Sequence, residues 1–228
     1  MERRSSPPEG TTTSTYIDPG ANTKEGYEIS LRSRTLARGI LGNNGAEDRI
    51  RQRCSIAVGD FSMAGLIRFR HDPVAAGLEA LKRKAPIITD VRMVQIGILK
   101  KRHESEIICA LDYGDALSME TGITRTSAGY RALGKRLEGS IVAVGNAPSS
   151  LLAIYDLIES GIRPALVVGT AVGFVNAAES KELLRTLDIP SISVEGTRGG
   201  TPVAVATINE LIIMHSEARN ADGPGDRV

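Results

Sequence analysis

Residues 139–161, GSIVAVGNAPSSLLAIYDLIESG, and residues 164–187, PALVVGTAVGFVNAAESKELLRTL, follow one plan twice. In each, a short aliphatic run ends in a glycine turn, and a helix-length segment with apolar residues at helical spacing follows. Pro148 stands near the start of the first such helix and Gly161 just past its end, where a missing amide proton and a missing β-carbon are tolerated best. The aliphatic runs are continuous rather than alternating, so both faces of each strand must be covered. Strand, turn and helix in succession imply a parallel sheet with helices on both faces and right-handed crossovers.

The same reading extends outward. Upstream, 22–42 and 46–58 read as helices, and LIRF (66–69) as a short strand. In DPVAAGLEALKRK (72–84), Asp72 is placed to cap a helix that begins with Pro73. APIIT (85–89) is a strand, a short helix follows Asp90, SEIICALD (105–112) is a strand, and TRTSAGYRALGKRL (124–137) is a helix. Downstream, PSISVEG (190–196) and GGTPVAVATINELIIM (199–214) add a last strand and helix. The expected fold is a single α/β domain over 16–215, doubly wound around a mostly parallel sheet. Polar tails over 1–15 and 216–228 are expected to be flexible. In such a sheet a ligand sits beyond the carboxyl ends of the strands, so the informative turns follow 89, 112, 144, 169 and 195.

The totals narrow the function. Among 228 residues, 28 basic and 27 acidic side chains leave a net charge of +1, which argues against a nucleic-acid binder. No apolar run reaches the length of a membrane span. The opening MERRSSPPEGTTTST has no apolar core of a secretory signal, so a cytoplasmic location is expected. Cys54 and Cys109 are too few for a disulfide framework and read as buried thiols. His71, His103 and His215 each read as surface histidines. None has a second ligand at metal-binding spacing, so no metal site is expected.

The turns GNAP (145–148), GTAVGFVNAAESKE (169–182) and EGTRGGTP (195–202) lack both nucleotide fingerprints, G-x-x-x-x-G-K-[ST] and G-x-G-x-x-G. Singly, each is an ordinary turn and cap. Three in one sheet, with Arg198 in the last, point to a large anionic ligand approached closely by backbone and helix amino ends.

The wording of these turns is more specific than their physics. VAVGNAPSSLL, PALVVGTAVGFVNAAESKELL and EGTRGGTPVAVATINEL resemble, in order and spacing, the precorrin-8X methylmutase family. Upstream, YIDP (16–19), GDF...A.LIRF (59–69), API..D..MV..GI (85–98) and GITRT (122–126) resemble it too, so the likeness covers about 16 to 213. It implies a homodimer acting on a tetrapyrrole, precorrin-8X or cobalt-precorrin-8, by moving a methyl group from C11 to C12. The product is hydrogenobyrinic or cobyrinic acid, and the isomerisation needs no cofactor. A low density of charge over 139–175 is taken as a second sign of the dimer.

One departure stands out. The family's general acid is a histidine in a segment resembling R-V-I-H-A-T-G-D-F. Here Arg53, Ala57, Gly59, Asp60 and Phe61 fit, but the histidine position holds Ile56, which has no proton to give. Asp60 is expected to cap or orient this loop. The carboxylate-rich substrate calls for Arg125, Ser127, Arg198, Gly199 and Gly200, with the backbone around Asn146, Gly173 and Phe174. Lys181 is expected to pair with Glu179 or with neighbours. Three functions follow: a methylmutase with a relocated acid such as Ser55, Cys54 or water; a family member that binds a corrinoid without isomerising it; or an unrelated α/β enzyme for another anion.

Overall fold

The computed structural model describes residues 23–222, with the side chain of Asp222 left aside. The YIDP segment, the tail over 1–15 and the last six residues lie outside the described residues. Helices α1 (Lys24–Leu41) and α2 (Ala46–Val58) come first. The Thr23 hydroxyl caps α1 by accepting from Gly26 N, and α2 ends where Gly59 turns left-handed at φ 66°. A 3-10 turn over Phe61–Leu66 is capped by Asp60, whose carboxylate accepts from Ser62 N. Then come β1 (Ile67–Arg70), α3 (Pro73–Lys82), β2 (Ile87–Thr89), α4 (Arg92–Gly97), β3 (Ile107–Cys109), α5 (Asp115–Thr121) and α6 (Arg125–Leu133). The second half alternates strictly: β4 (Ile141–Val144), α7 (Pro148–Glu159), β5 (Leu166–Gly169), α8 (Ala177–Thr186), β6 (Ser191–Val194) and α9 (Thr201–Asp222).

The strand order is β1-β6-β5-β4-β2-β3, parallel except for β1, which pairs antiparallel with β6 at the edge. From β2 the chain steps outward to β3, returns to the far side of β2 as β4, and proceeds outward through β5 and β6. The direction of winding therefore reverses between β2 and β4. Ile87, Ile141, Ala143, Leu166 and Val168 face a core shared with α2, α3, α4 and α9. Ile88, Val142, Val144 and Val167 face the opposite core, shared with α6, α7 and α8. The doubly wound α/β fold read from the sequence is the fold found.

Several local expectations change. Asp72 occupies the position before α3, but its own backbone is left-handed (φ 48°, ψ 56°) and its side chain makes no capping bond. The strand expected over 105–112 is only three residues long and passes into a 3-10 turn at Ala110–Tyr113. α9 runs on to Asp222, through seven residues read from the sequence as tail. The low charge over 139–175 has a plain cause: β4 and β5 are central strands, buried on both faces.

Candidate active site

At the point where the winding reverses, Asp90 follows β2 and the GNAP turn follows β4. The Asp90 carboxylate, fully buried, accepts from four backbone amides: Val91 N (3.0 Å), Gly145 N (3.2 Å), Asn146 N (2.7 Å) and Ala147 N (2.9 Å). Burial raises its pKa above the ordinary carboxylate range, against the opposing pull of these four donors. A side chain from one strand end thus occupies the turn amides that lead into α7 and that could otherwise hold an anion. Gly145 is required beneath it: a β-carbon there would lie 2.7 Å from Val94 Cγ2 and 3.0 Å from Thr201 Cα. The expectation that the backbone at Asn146 holds ligand carboxylates is therefore revised, because its amide is already engaged; the exposed side chain remains.

The turns after β5 and β6 lock together. Gly173 N donates to Thr197 O (3.1 Å), and Gly200 N donates to Thr170 O (2.7 Å). The Thr170 hydroxyl reaches Val144 O and Gly200 O, joining the ends of β4 and β5 to the turn before α9. Gly199, at φ 147°, lies so close that a β-carbon would meet Thr170 O at 2.3 Å, so this position admits no side chain. Lys181 of α8, fully buried, donates to Arg198 O at 2.6 Å. The expected pairing with Glu179 does not form.

The guanidinium of Arg198 points the other way and bonds Asp60 and Ser62 Oγ. Arg198 and Asp60 are both substantially exposed, so their ion pair is weak and exchangeable. It ties the β6–α9 turn to the segment after α2, which carries Ile56. Ile56 is half-buried yet belongs to neither hydrophobic core. On the other side of GNAP, Thr124 Oγ1 lies 2.9 Å from Ser149 Oγ and donates to Ser127 Oγ at 2.8 Å, bringing the start of α6 to the start of α7. Arg125 is exposed and paired with Asp115 of α5. Phe174 is 93% exposed. The candidates therefore share the carboxyl edge of the sheet. Gly173, Arg198, Gly199 and Gly200 belong to turns locked by backbone hydrogen bonds, and Phe174 follows Gly173 in the chain, whereas Arg125 is joined to these turns only by sharing that edge.

The histidines are elsewhere. His71 follows β1, whose last residue pairs with Ser191, the first of β6, and it sits 3.3 Å from Asp188. His103 is buried, not exposed as expected: Nδ1 accepts from Ser105 N, and Nε2 donates to Leu99 O at 2.5 Å. His215 is buried as well, late in α9 and near Glu104, and burial lowers its pKa. All three lie towards the amino edge of the parallel strands. Cys54 is fully buried with its thiol 3.3 Å from Thr207 Oγ1, and burial pushes it up to about 12, so it is no proton donor to a ligand. Ser55 is buried beside it. Among the described residues no three His, Cys, Asp or Glu side chains could hold a metal ion, and no helix is long and apolar enough to cross a membrane.

Comparison with known proteins settles the family. The family model for precorrin-8X methylmutase matches residues 28–214. The chain belongs to the precorrin-8X methylmutase family. The cobalt-precorrin-8 methylmutase of Methanocaldococcus jannaschii is 38% identical over 205 residues, spanning 85% of this chain and 96% of that protein. The precorrin-8X methylmutase of Pseudomonas aeruginosa is 37% identical over 192 residues, 81% and 92% of the two chains. The crystal structure of precorrin-8X methylmutase from Thermus thermophilus superposes with a TM-score of 0.77 at 34% identity, covering 84% of this chain and 97% of that one. The resemblance read from the turn and upstream segments is thereby confirmed at the level of the methylmutase family.

Lys181 gives this methylmutase fold a measurable signature. Burial, with a smaller contribution from Arg185, lowers its pKa to about 8. A lysine depressed in the fold carries the cost of its charge below pH 8, and that cost is relieved as pH rises towards the unfolded value near ~10.4. Cys54 has the opposite sign, because an unfolded thiol ionises above about pH 8.5 and the buried one does not. Urea denaturation of wild type and Lys181→Met at pH 7 and pH 9.5 isolates the lysine: wild type should gain stability relative to the variant at the higher pH.

Proposed function

We propose that the chain binds the carboxylate-rich tetrapyrrole of the methylmutase reaction, precorrin-8X or its cobalt form, at the carboxyl edge of the sheet. We further propose that it moves the methyl from C11 to C12 without the help of an imidazole. The observation that carries this is Ile56. It stands where the family's acid is expected, outside both cores, while all three histidines lie towards the opposite edge. In the reaction one carbon–carbon bond at C11 breaks, one at C12 forms, and the lent proton returns, so no redox cofactor is consumed. Without a donor the macrocycle must rearrange unprotonated or take its proton from water, which makes the step slow. The frame for holding the macrocycle remains: Arg198 with an exchangeable partner, the Gly199–Gly200 turn, and the hydroxyls of Thr124, Ser127 and Ser149.

Titration with hydrogenobyrinic acid, followed by absorbance, tests binding, and conversion of precorrin-8X tests turnover. Binding should weaken with added salt, because the contacts are ionic and partly exposed. Arg198→Ala should lower affinity by about tenfold to a hundredfold, the scale of one charged hydrogen bond. Affinity indifferent to both salt and this substitution would place the ligand elsewhere.

The homodimer and a cytoplasmic location belong to the same reading. The support for the dimer is the family resemblance together with Ile29, Leu36 and Ile40, apolar side chains more than half exposed on α1 at intervals of seven and four. Sedimentation at micromolar concentration should show a species of twice 24.3 kDa. A single 24.3 kDa species would remove the dimer from the proposal. Both cysteines are free, in keeping with a reducing compartment.

A further inference from the structure

Lys181 is a fully buried ammonium, reached from α8 and bonded to the main-chain carbonyl of Arg198. Burying a charge is costly, and an apolar side chain of similar volume is often as good or better for stability. Stability alone therefore gives no reason for a lysine here. What the lysine fixes is the backbone of one turn. Two residues on, Gly200 N is held by Thr170 O, and between them Gly199 is pressed against that same oxygen. Arg198 and Gly200 are thus pinned from beneath at consecutive anchor points. With its carbonyl drawn inward to Lys181, Arg198 directs its guanidinium outward, towards Asp60 and Ser62.

We infer that Lys181 is a positioning residue for the tetrapyrrole site: its ammonium sets the path of the Thr197–Gly200 turn and so aims Arg198 and the Gly199–Gly200 backbone at the ligand. The inference rests on the proposed ligand for its functional meaning, but the anchoring of the turn can be read without any ligand. The charged group bearing on Lys181 is Arg185, one turn along α8. Arg185 in turn feels Glu195 and Glu182, opposed by Arg68 and Arg70. From the turn itself, the Arg198 guanidinium is engaged with Asp60. No carboxylate among these neutralises Lys181 directly, so the carbonyl is the anchor.

The experiment compares the full-length wild type with Lys181→Met, which keeps the length and loses the donor, and Lys181→Arg, which keeps a charged donor. Amide hydrogen exchange at pH 7 is followed in the 197–200 turn and in β4 as an internal reference. In Lys181→Met the turn should exchange about tenfold faster or more, with β4 unchanged, and Lys181→Arg should slow it again. Hydrogenobyrinic acid should bind Lys181→Met about tenfold more weakly, with Lys181→Arg recovering part of the loss. Unchanged exchange in the turn of folded Lys181→Met overturns the inference. So does exchange that rises equally in β4, because the lysine then serves only global stability. If wild type binds no tetrapyrrole, the proposed ligand is wrong, while the exchange result still decides the role of the lysine. Should Lys181→Met fail to fold, Lys181→Gln in the same exchange measurement carries the decision: a turn as protected as in wild type overturns the inference, and a turn opened selectively supports it.

Discussion

Asp90→Ala is expected to destabilise the fold by about 3–5 kcal/mol, the range for breaking a buried charged network. The carboxylate serves four backbone amides at once, three of them from the GNAP turn some 55 residues away in sequence. Removing it leaves those donors buried without acceptors, at about 1–3 kcal/mol for each one that water cannot reach. Asp90→Asn should be milder. Burial already raises the pKa of this carboxyl, so a neutral group there is less unfavourable than in water. The Asn side chain keeps one acceptor oxygen but turns an amide nitrogen towards two of the donors. Urea denaturation of the three proteins should therefore rank wild type above Asp90→Asn above Asp90→Ala. If Asp90→Ala were as stable as Asp90→Asn, the four hydrogen bonds would not be what holds the strand ends together. Ligand affinity should follow the same order, because the GNAP turn forms one wall of the edge at which the ligand is proposed to sit.

Asp90 also shows where sequence reading stops. The strands and helices were legible because their signals are local: continuous aliphatic runs, glycine turns and helical periodicity. β4, α7, β5, α8 and β6 appear close to where those signals place them. The carboxyl edge was legible as well, since it follows from the alternation itself. The partners across that edge were not, because each contact joins distant segments. Asp90 was visible only as one letter of API..D, with nothing to show that it faces GNAP. The expectation for Lys181 is a pairing with Glu179 or with neighbours, but residues two apart on a helix do not face each other. The lysine instead points inward to Arg198 O. His103, in the basic KKRHESE stretch, and His215, at the C-terminal margin of the domain, read as surface residues, whereas both are packed in. α5 leaves no clear mark in the sequence because DALSMET is too short and too weakly periodic to stand out, and none of its residues is buried.

The largest gain is expected from Ile56→His. General acid catalysis is typically worth about 10²- to 10⁴-fold, so conversion of precorrin-8X by the variant should exceed that of wild type on this scale. The position favours an imidazole that can act near neutral pH. Residue 56 is in the last turn of α2, where the partial negative charge of the helix end stabilises an imidazolium. Arg53, one turn back, opposes this, but it lies 3.5 Å from Glu210 Oε2, which compensates much of its charge. The helix end should therefore help an imidazole there to keep its proton. Because the protonated form is the acid, the gain should be greatest at low pH and fade as the imidazole loses its proton. This pH dependence separates proton donation from a mere change of shape. Ile56→Ala is the control, opening space without adding a donor, and should bring no comparable gain and no such profile. The side chain belongs to neither core, so both substitutions should leave stability near wild type. A wild type whose rate already matches that of Ile56→His at every pH would mean that the proton comes from another group. Cys54 is unsuited to that role, buried and pushed up to about 12. Solvent water or Ser55 would then be the donor to test.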